Sequence, residues 1–316
     1  MPRPCLTRPA RWRCSPRASI PLDRPRVMAI LNATPDSFHD GGCLPTVDLA
    51  CRFAHEAVRD GADALDIGGE STRPGAEPVS PEDQIRRTVP IVRALREAGL
   101  SIPITIDTTR REVAAAALDA GADAVNDVSA GRDDPGMFDL VARRGAGIIL
   151  MHRLTDPSRD RFSDRYDTPP AYRDVVGEVR EFLSQRVREA LSAGIRPDSI
   201  CIDPGLGFGK SVEQNMELIR RTDELATIGL PILSALSRKS FVGRVSLERD
   251  SHPSERLLGT VGLSVVHVMA GAAIVRVHDV RPHVEALRPV TFFLSAASNH
   301  NTNSLSRPGD GHGVSG

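Results

Sequence analysis

Residues 60–67 read Asp60-Gly61-Ala62-Asp63-Ala64-Leu65-Asp66-Ile67, and they show in one place how a helix gives way to a strand. The helical periodicity of residues 47–60 ends here, and a glycine just past a helix end can adopt the left-handed conformation that closes the last turn. The apolar run at 64–67 predicts a short buried strand. The same joint recurs as Ala120-Gly121-Ala122-Asp123, again before an apolar run. The repeated joint indicates a chain in which helices and strands alternate.

The alternation extends over eight units. The predicted strands are 27–31, 64–67, 103–106, 124–126, 147–151, 199–203, 231–236 and 273–277. The predicted helices are 47–60, 80–98, 110–119, 134–143, 171–193, 211–226, 254–270 and 281–294. Strands that alternate with helices pair in parallel through crossover connections. Eight units in about 270 residues predict a single-domain (β/α)8 TIM barrel. The alternative, an open doubly wound sheet, usually has a G-x-G-x-x-G motif after its first strand, and no such motif stands there.

The two ends of the 316-residue chain differ from the middle. Residues 1–22 contain five arginines, five prolines and no acidic residue. These prolines would break the amphipathic helix of a transit peptide, so we interpret residues 1–24 as a flexible extension. The barrel domain is expected over residues 25–295. Residues 296–316 are rich in Ser, Asn and Gly, a composition that cannot bury a core, and we expect a disordered tail.

Composition and charge argue against several classes of partner. Forty Lys and Arg residues against 41 Asp and Glu give a net charge of −1, so no basic field exists for nucleic acid or an anionic membrane surface. No apolar run approaches the roughly 20 residues of a membrane span. Five cysteines without a C-x-x-C pair predict neither a disulfide framework nor a zinc site, and they favour a cytoplasmic location.

Polar side chains follow each predicted strand, and in a barrel the carboxyl ends of the strands meet at one rim. Asp107, Asn126 and Asp203 end strands that are otherwise apolar. Buried carboxylates and amides are costly without partners. These three side chains, together with Lys239, suit a planar heterocycle with several ring donors and acceptors. Taken singly, each Asp could cap a helix, Asn126 could hold a turn and Lys239 could be a solvated surface residue.

Other residues near this rim suit a phosphate-bearing ligand. Arg276 and His278 follow the last strand and can donate hydrogen bonds to phosphate oxygens. Asn32 offers an oxygen for a magnesium ion that keeps most of its waters. The simpler alternatives are a surface ion pair for Arg276 and His278 and a turn for Asn32. Two long loops with glycine and proline, 33–46 and 68–79, are typical of mobile covers.

These motifs, in this order, resemble those of one family: the dihydropteroate synthases of folate synthesis, which sulfonamides inhibit. The resemblance covers about residues 27–290. The matching stretches are Ile30-Leu31-Asn32-Ala33-Thr34-Pro35-Asp36-Ser37-Phe38 with Asp40-Gly41-Gly42, Asp66-Ile67-Gly68-Gly69-Glu70-Ser71-Thr72-Arg73-Pro74-Gly75, Ile106-Asp107-Thr108, Asn126-Asp127-Val128-Ser129, Asp203-Pro204-Gly205 with Gly207-Phe208-Gly209-Lys210, Ser237-Arg238-Lys239-Ser240-Phe241 and Arg276-Val277-His278-Asp279-Val280.

The resemblance implies a reaction and a role for individual residues. The reaction couples (7,8-dihydropterin-6-yl)methyl diphosphate with 4-aminobenzoate and gives 7,8-dihydropteroate and diphosphate. The implied catalytic residues are Asp107, Asp203, Lys239 and Arg276. The implied binding residues are Asp107, Asn126, Asp203, Lys239 and Phe208 for the pterin, Thr72, Arg276 and His278 for the diphosphate, Phe38, Arg73, Pro74 and Ser240 for 4-aminobenzoate, and Asn32 for Mg²⁺. The resemblance also suggests a homodimer whose ligands are small molecules.

The chain departs from the family pattern at several positions. His39 stands where the family usually has serine, and we hypothesise that it alters sulfonamide binding. Arg153 and Thr155 stand where the family usually continues Met-x-Gly, which puts the shape of one pterin wall in question. Three alternative functions remain open: a methyltransferase that uses a reduced pterin, a Schiff-base aldolase that uses Lys239, and a non-catalytic pterin-binding paralogue.

Overall fold

The computed structural model describes residues 9–34 and 46–303, with side chains described as far as residue 294. The chain begins with an antiparallel hairpin, β1 (Arg11–Arg13) and β2 (Ser19–Pro21). Eight parallel strands follow: β3 (Arg26–Asn32), β4 (Ala64–Gly68), β5 (Ile104–Asp107), β6 (Ala124–Asp127), β7 (Gly147–Met151), β8 (Ile200–Asp203), β9 (Leu233–Ser234) and β10 (Ile274–Val277). The helices are α1 (Val47–Arg59), α2 (Pro81–Glu97), α3 (Arg111–Ala120), α4 (Met137–Arg144), α5 (Val175–Ser192), α6 (Val212–Arg220), α7 (Thr222–Ala226), α8 (Ser240–Leu247), α9 (Leu257–Ala270) and α10 (Val280–Asn303).

The sheet has the strand order β8-β7-β6-β5-β4-β3-β10-β9. Its two outer strands meet through a parallel bridge between Ile202 and Ile232. At this junction the backbone N–H of Ile202 donates to the carbonyl of Pro231 at 2.9 Å. The sheet therefore curls into a nearly closed barrel with helices between the strands, which confirms the predicted (β/α)8 fold. Across the described residues, no helix combines the length and apolar character needed to cross a bilayer.

Local sequence explains where several helices start and stop. Ser80 accepts from the backbone N–H of Asp83 at 3.2 Å at the start of α2, and Pro81 occupies its first turn. At the end of α3, Gly121 has φ 114° and lets the chain turn straight into β6. The helix-to-strand connection at residues 120–123 thus contains the left-handed glycine that the sequence predicts.

Strand register aligns the polar residues that end the strands. Asn32 pairs with Gly68, Gly68 with Asp107, and Asp107 with Asn126. Residues that pair across parallel strands lie at the same height along the barrel. Strands β3, β5 and β6 therefore bring Asn32, Asp107 and Asn126 to one rim, and Gly68 of β4 lies between the first two.

The hairpin corrects the prediction of a flexible extension over residues 1–24. Trp12 is fully buried, and its Nε1 donates to the carbonyl of Ser199 at 3.0 Å. Trp12, Cys14 and Ile20 pack against inward-facing side chains of the barrel strands, including Met28 and Ile149. Residues 11–21 therefore form the floor of the barrel. The sequence does not predict this hairpin, because each of its strands buries only one large side chain. The neighbouring residues, among them arginines and a proline, are exposed or half-exposed.

The helices depart from the prediction most clearly at three places. Residues 211–226 divide at Arg221 into α6 and α7, and α8 was not predicted at all. Helix α8 has eight residues and follows a polar turn, so it offers too few turns for a clear helical period. Helix α10 continues to Asn303, beyond the expected boundary at residue 295, because an established helix extends at low cost.

Candidate active site

A buried network of acids, an amide and a guanidinium lies at the carboxyl end of the barrel. Arg276, on β10, donates from Nε to Asp66 Oδ2 at 2.5 Å and from Nη2 to Asp107 Oδ2 at 2.7 Å. Asn126 donates from Nδ2 to Asp66 Oδ2 at 2.9 Å, and the hydroxyl of Thr105 donates to Asp66 Oδ1. Four strands thus contribute to one cluster, and Asp66 holds its centre.

The network carries more negative than positive charge. Asp66 is fully buried and Asp107 is nearly so, and Arg276 is the cation that both contact. Burial raises the pKa of Asp107 to about 7, with Arg276 opposing the shift and Asp66 adding to it. Burial works against the charge of Arg276, but the two carboxylates outweigh it and raise the pKa of the guanidinium. The site is therefore prepared for a further positive group or for N–H donors.

A second cluster lies on β8 and on the turn before α8. Asp203 Oδ1 accepts from the backbone N–H of Gly205 at 2.7 Å. The ammonium of Lys239 donates to the carbonyl of Leu206 and lies 4.3 Å from the centre of the Phe208 ring. Burial lowers the pKa of Lys239 to about 8, with Asp203 opposing and Arg276 adding. Burial also raises the pKa of Asp203, and Lys239 opposes that shift.

An apolar patch accompanies these charges. Val128, Met151 and Phe208 form a small cluster of their own, separate from the main core. They come from the segments that follow β6, end β7 and follow β8. An aromatic ring and two aliphatic side chains beside paired polar groups are typical of a site for a flat, partly polar ligand.

His278 lies beyond the end of β10 and contacts the segment before α8. Its Nδ1 is 2.9 Å from the hydroxyl of Ser237. Burial lowers the pKa of His278 to about 3, and the cations Arg238 and Arg276 add to the shift. The imidazole is therefore neutral at pH 7, and it has one ring N–H to donate. Ser240 is buried at the first turn of α8, within the same segment.

The loop after β4 places its residues at the margin of this rim. Thr72 and Pro74 are half-buried and Arg73 is exposed. The charge of Arg73 contributes to the lowered pKa of His278, which places the two on the same side of the barrel. Gly75 donates its N–H to the carbonyl of Pro157 at 2.9 Å and so ties the loop to the segment after β7. Phe38 and His39 lie outside the described residues.

Asn32 ends β3 beside Gly68 and Asp107. A Cβ placed on Gly68 would lie 3.8 Å from Asn32 Oδ1 and 3.5 Å from Asp107 Cβ, so both side chains flank this glycine. Within residues 9–34 and 46–294, no three side chains of His, Cys, Asp or Glu converge in a way that could hold a metal ion. A single amide oxygen suits Mg²⁺ only when water and ligand phosphates supply the other positions.

Arg153 forms two ion pairs that the sequence did not indicate. It is buried, and its Nη2 contacts Asp133 at 2.5 Å and Asp156 at 2.7 Å. These contacts tie the segment after β6 to the segment after β7. Thr155 lines a surface cavity of about 430 Å³ together with Leu154 and Arg159. Both departures from the family pattern thus take part in loop packing.

Sequence reasoning missed two residues of the site. Asp66 lies in the middle of β4, two residues before the end of the strand, whereas the predicted site residues follow or end their strands. A buried acid inside an apolar strand was itself the signal, because it requires a partner. Ser237, which contacts His278, belongs to a quoted motif but received no role.

Comparison with known proteins agrees with this geometry. A family model described as pterin binding enzyme matches residues 28–278. A dihydropteroate synthase from Synechocystis is 46% identical over 258 residues, covering 81% of this chain and 86% of the relative. One from Mycobacterium leprae is 44% identical over 275 residues, covering 86% and 94%.

Solved structures are similar in fold as well. A Xanthomonas albilineans dihydropteroate synthase with 4-aminobenzoic acid is 40% identical at a TM-score of 0.80, covering 92% of this chain and 98% of that one. A Burkholderia cenocepacia dihydropteroate synthase complexed with 7,8-dihydropteroate is 39% identical at a TM-score of 0.79, covering 92% and 99%.

The barrel and its rim define a class of protein: a (β/α)8 protein with buried carboxylates, an amide and two basic groups at the carboxyl ends of its strands. The chain belongs to the dihydropteroate synthase family of pterin-binding enzymes. Its activity is the transferase reaction of that family in folate biosynthesis.

Proposed function

We propose that the two clusters at the rim, one around Asp66 and Arg276 and one around Asp203 and Lys239, together catalyse the condensation of (7,8-dihydropterin-6-yl)methyl diphosphate with 4-aminobenzoate. The observation that carries this assignment is the buried network of Asp66, Asp107, Asn126 and Arg276 at the barrel mouth. Asp107, Asn126, Asp203 and Lys239 bind the pterin, whose ring N–H groups suit carboxylate oxygens and whose acceptors suit Asn126 and Lys239. Phe208 covers one side of the ring.

The chemistry needs a leaving group and a stabilised cation. The bond between the pterin methylene and the diphosphate oxygen breaks, and its electron pair leaves with diphosphate. The arylamine nitrogen forms the new carbon–nitrogen bond and gives up one proton. Positive charge that spreads into the pterin as the bond breaks is stabilised by Asp107 and Asp203, whose burial strengthens the attraction.

Diphosphate departure requires positive groups and donors. Arg276 engages carboxylates through Nε and Nη2, which leaves Nη1 to donate to a phosphate oxygen. Neutral His278 donates through its remaining ring N–H, and Thr72 through its hydroxyl. The oxygen of Asn32 fits Mg²⁺ that is held mainly by diphosphate and water. When bound, the ion supplies positive charge to the leaving group.

The 4-aminobenzoate site is proposed beside this rim. Arg73 offers a cation for the carboxylate, and Phe38, Pro74 and Ser240 shape the cleft. Arg73 is exposed while Ser240 is buried, so the carboxylate would meet Arg73 on the solvent side and the ring would lie toward Ser240. A weak arylamine nucleophile depends on placement more than on a strong base.

Sulfonamide binding is proposed at this same cleft. A Yersinia pestis dihydropteroate synthase that is 36% identical has been solved as a sulfonamide drug complex at a TM-score of 0.79. His39 stands in the first loop, where the family usually has serine, and we expect weaker or altered inhibition. Inhibition titration of the wild type and of His39→Ser tests this; a family-typical response in both would discard the hypothesis.

Release of diphosphate tests the function itself. The assay compares both substrates with Mg²⁺ against reactions that lack 4-aminobenzoate or the metal. We expect release that requires all three components and yields 7,8-dihydropteroate in equal amount. Pterin binding without release would identify a non-catalytic paralogue. Covalent trapping of Lys239 by borohydride with a carbonyl substrate would instead identify an aldolase.

We also propose a cytoplasmic homodimer. Exposed apolar residues recur along one face of α9, where Leu258 is 84% exposed and Val266 is 50% exposed. Free thiols at Cys14, Cys51 and Cys201 suit a reducing compartment. Sedimentation equilibrium tests the oligomeric state.

A further inference from the structure

The chain has only two lysines, Lys210 and Lys239, and all its other basic residues apart from histidine are arginines. Both lysines lie in or directly beneath the candidate active site. Lys239 contacts the Asp203 cluster described above. Lys210 ends the Gly207-Phe208-Gly209-Lys210 motif, and the proposed chemistry gives it no role. Every other basic side chain of the sequence apart from histidine is a guanidinium, so a lysine ammonium occurs at these two positions alone.

Lys210 is fully enclosed, with no exposed surface. Its Nζ donates to the carbonyl of Gly205 at 2.9 Å and to the carbonyl of Phe208 at 2.8 Å. The Nδ1 of His152, at the end of β7, lies 3.0 Å from the same nitrogen. With the carbonyl of His152 at 3.5 Å, four acceptors surround one ammonium and its three N–H donors, a geometry that a larger planar guanidinium would not fit.

The charges around this ammonium come from several elements. Burial lowers the pKa of Lys210 to about 7; Asp203 and Asp160 oppose the shift, and Lys239 adds to it. Burial lowers the pKa of His152 well below its usual value, and the cations Lys210 and Arg132 add to that shift. His152 is therefore a neutral acceptor.

The loop between β8 and α6 is held in a conformation that glycine makes accessible. Gly205, Gly207 and Gly209 have φ of 68°, 82° and 64°. Their N–H groups donate to Asp203 Oδ1 at 2.7 Å, to Asn215 Oδ1 at 2.6 Å and to Asp160 Oδ2 at 2.8 Å, respectively. Each left-handed residue is thus anchored by a side chain from outside the turn.

The carbonyls of this loop accept hydrogen bonds from both lysines. Those of Gly205 and Phe208 accept from Lys210, beneath the loop, and the carbonyl of Leu206 accepts from Lys239 at the rim. The same loop presents the Phe208 ring to the ammonium of Lys239 at 4.3 Å. The position of Lys239 therefore depends on which way these carbonyls point.

We propose that Lys210, with His152 as its neutral partner, is a positioning residue for the transferase reaction. Its ammonium holds two carbonyls of the β8–α6 loop inward, so that the loop fixes Lys239 and Phe208 at the pterin site. The proposal rests on the pterin roles assigned above and adds a residue that does not itself touch the substrate.

The test is Lys210→Met, which keeps the length of the side chain and removes the ammonium. We expect kcat/KM for the dihydropterin diphosphate to fall about 100-fold, because a misplacement near 1 Å has this effect on an oriented reaction. Trp12→Ala, in the barrel floor, is the control for lost stability alone. It destabilises the same fold far from the rim and should keep the wild-type kcat.

A spectroscopic readout separates positioning from stability. Labelling with [¹³Cε]lysine gives two lysine signals, and Lys210→Met assigns them. We expect the Lys239 signal to shift, and its titration midpoint to change, in Lys210→Met but not in Trp12→Ala. A Lys239 signal that stays at its wild-type position in a folded Lys210→Met protein would overturn the proposal. Wild-type kcat and KM in that variant would do the same.

His152→Leu covers the case in which Lys210→Met does not fold. It removes one acceptor and leaves both carbonyls paired with Lys210, so we expect a smaller loss of kcat/KM and a shifted Lys239 signal. Wild-type values in folded His152→Leu would contradict the proposal. Failure of the wild type to release diphosphate would contradict the proposed function alone, since the lysine signals report the loop without turnover.

Discussion

At the scale of single residues, the shared guanidinium of Arg276 explains how two acids remain buried at the barrel mouth. Asp66 and Asp107 each accept one of its hydrogen bonds, so the cluster carries one excess negative charge when both are ionised. An enclosed site enlarges the energetic effect of that charge. A pterin cation that forms as diphosphate leaves would neutralise it, which favours the transition state over the bound substrate.

Asp107→Asn tests this account through activity and stability together. The pKa of Asp107 is raised to about 7, so between pH 4 and 7 the folded protein holds a proton that the unfolded chain has lost. The stability linked to that proton is present at pH 4 and is lost as the pH rises to 7. Because the wild type loses about 1.4 kcal/mol per pH unit from pH 5 to the pKa near 7, we expect the unfolding free energy of Asp107→Asn to gain roughly 3 kcal/mol on the wild type between pH 5 and pH 8. Turnover should be abolished.

Urea unfolding at the two pH values and diphosphate release are the measurements. Asp119→Asn, an exposed acid on α3, is the matched control and should change neither quantity. A stability difference between Asp107→Asn and the wild type that does not depend on pH would show that Asp107 titrates normally. Full turnover in Asp107→Asn would remove it from the mechanism.

Asp66→Asn tests the residue that sequence reasoning missed. The amide keeps the size of the side chain but weakens its bonds to Arg276 and Asn126. Because both partners would lose their orientation, we expect kcat/KM for the dihydropterin diphosphate to fall about 100-fold. Steady-state kinetics with each substrate varied in turn measures the effect. An unchanged kcat/KM would reduce Asp66 to a structural acid.

Position within a strand explains which site residues the sequence could predict. Asp107, Asn126 and Asp203 end apolar strands, so the barrel rule alone directs attention to them. Asp66 lies inside β4, and only the three-dimensional contact with Arg276, 210 positions later in the chain, shows why an acid is tolerated there. The partners of a buried acid depend on strand register, and single-sequence patterns do not specify register between distant strands.

At the scale of elements, the hairpin of β1 and β2 is expected to act on stability and not on chemistry. Trp12 packs among the inward-facing residues at the amino end of the barrel, opposite the rim. Trp12→Ala should lower the unfolding free energy by about 3–5 kcal/mol, through lost burial and a residual cavity. The values of kcat and KM should remain those of the wild type at temperatures where the variant is folded.

Denaturant unfolding and steady-state kinetics measure the two effects. Arg11→Ala removes an exposed side chain from the same strand and should leave stability within about 0.5 kcal/mol. Wild-type stability in Trp12→Ala would mean that the hairpin is not part of the cooperative fold.

Elements with strong local signals were predictable and those fixed by tertiary contacts were not. The strand β7 and the start of α1 match their predicted bounds, because an apolar run and a helical period suffice to define them. The hairpin and α8 depend on burial against the finished barrel. Strand β9 has only two residues, fewer than its apolar run predicts, because it pairs with β10 over Leu233 and Ser234 alone.

At the scale of the whole molecule, one chain supplies every described residue of the proposed site. Residues from β4, β5, β6, β8 and β10 converge at the rim, which only a closed or nearly closed sheet can achieve. The structure brings part of the expected set together: Arg276 contacts both Asp107 and Asp66, and Asn126 contacts Asp66.

The exposed face of α9 gives the homodimer a specific prediction. Leu258, Gly262, Val266 and Met269 are exposed and recur at helical spacing along one face. A Cβ placed on Gly262 meets nothing within 4 Å, so another helix can approach closely there. We expect the wild type to sediment at twice the 34.1 kDa of one chain, through a two-fold interface that buries this face.

Val266→Glu places a charge in the centre of that face and should give monomers in sedimentation equilibrium. Leu191→Glu makes the same change at a residue on α5 that is 39% exposed, and it should leave the dimer intact. Because the rim residues come from one chain, the monomeric variant should release diphosphate at the wild-type rate while it remains folded. Dimers in Val266→Glu, or monomers in the wild type, would show that the exposed apolar face of α9 does not mediate self-association.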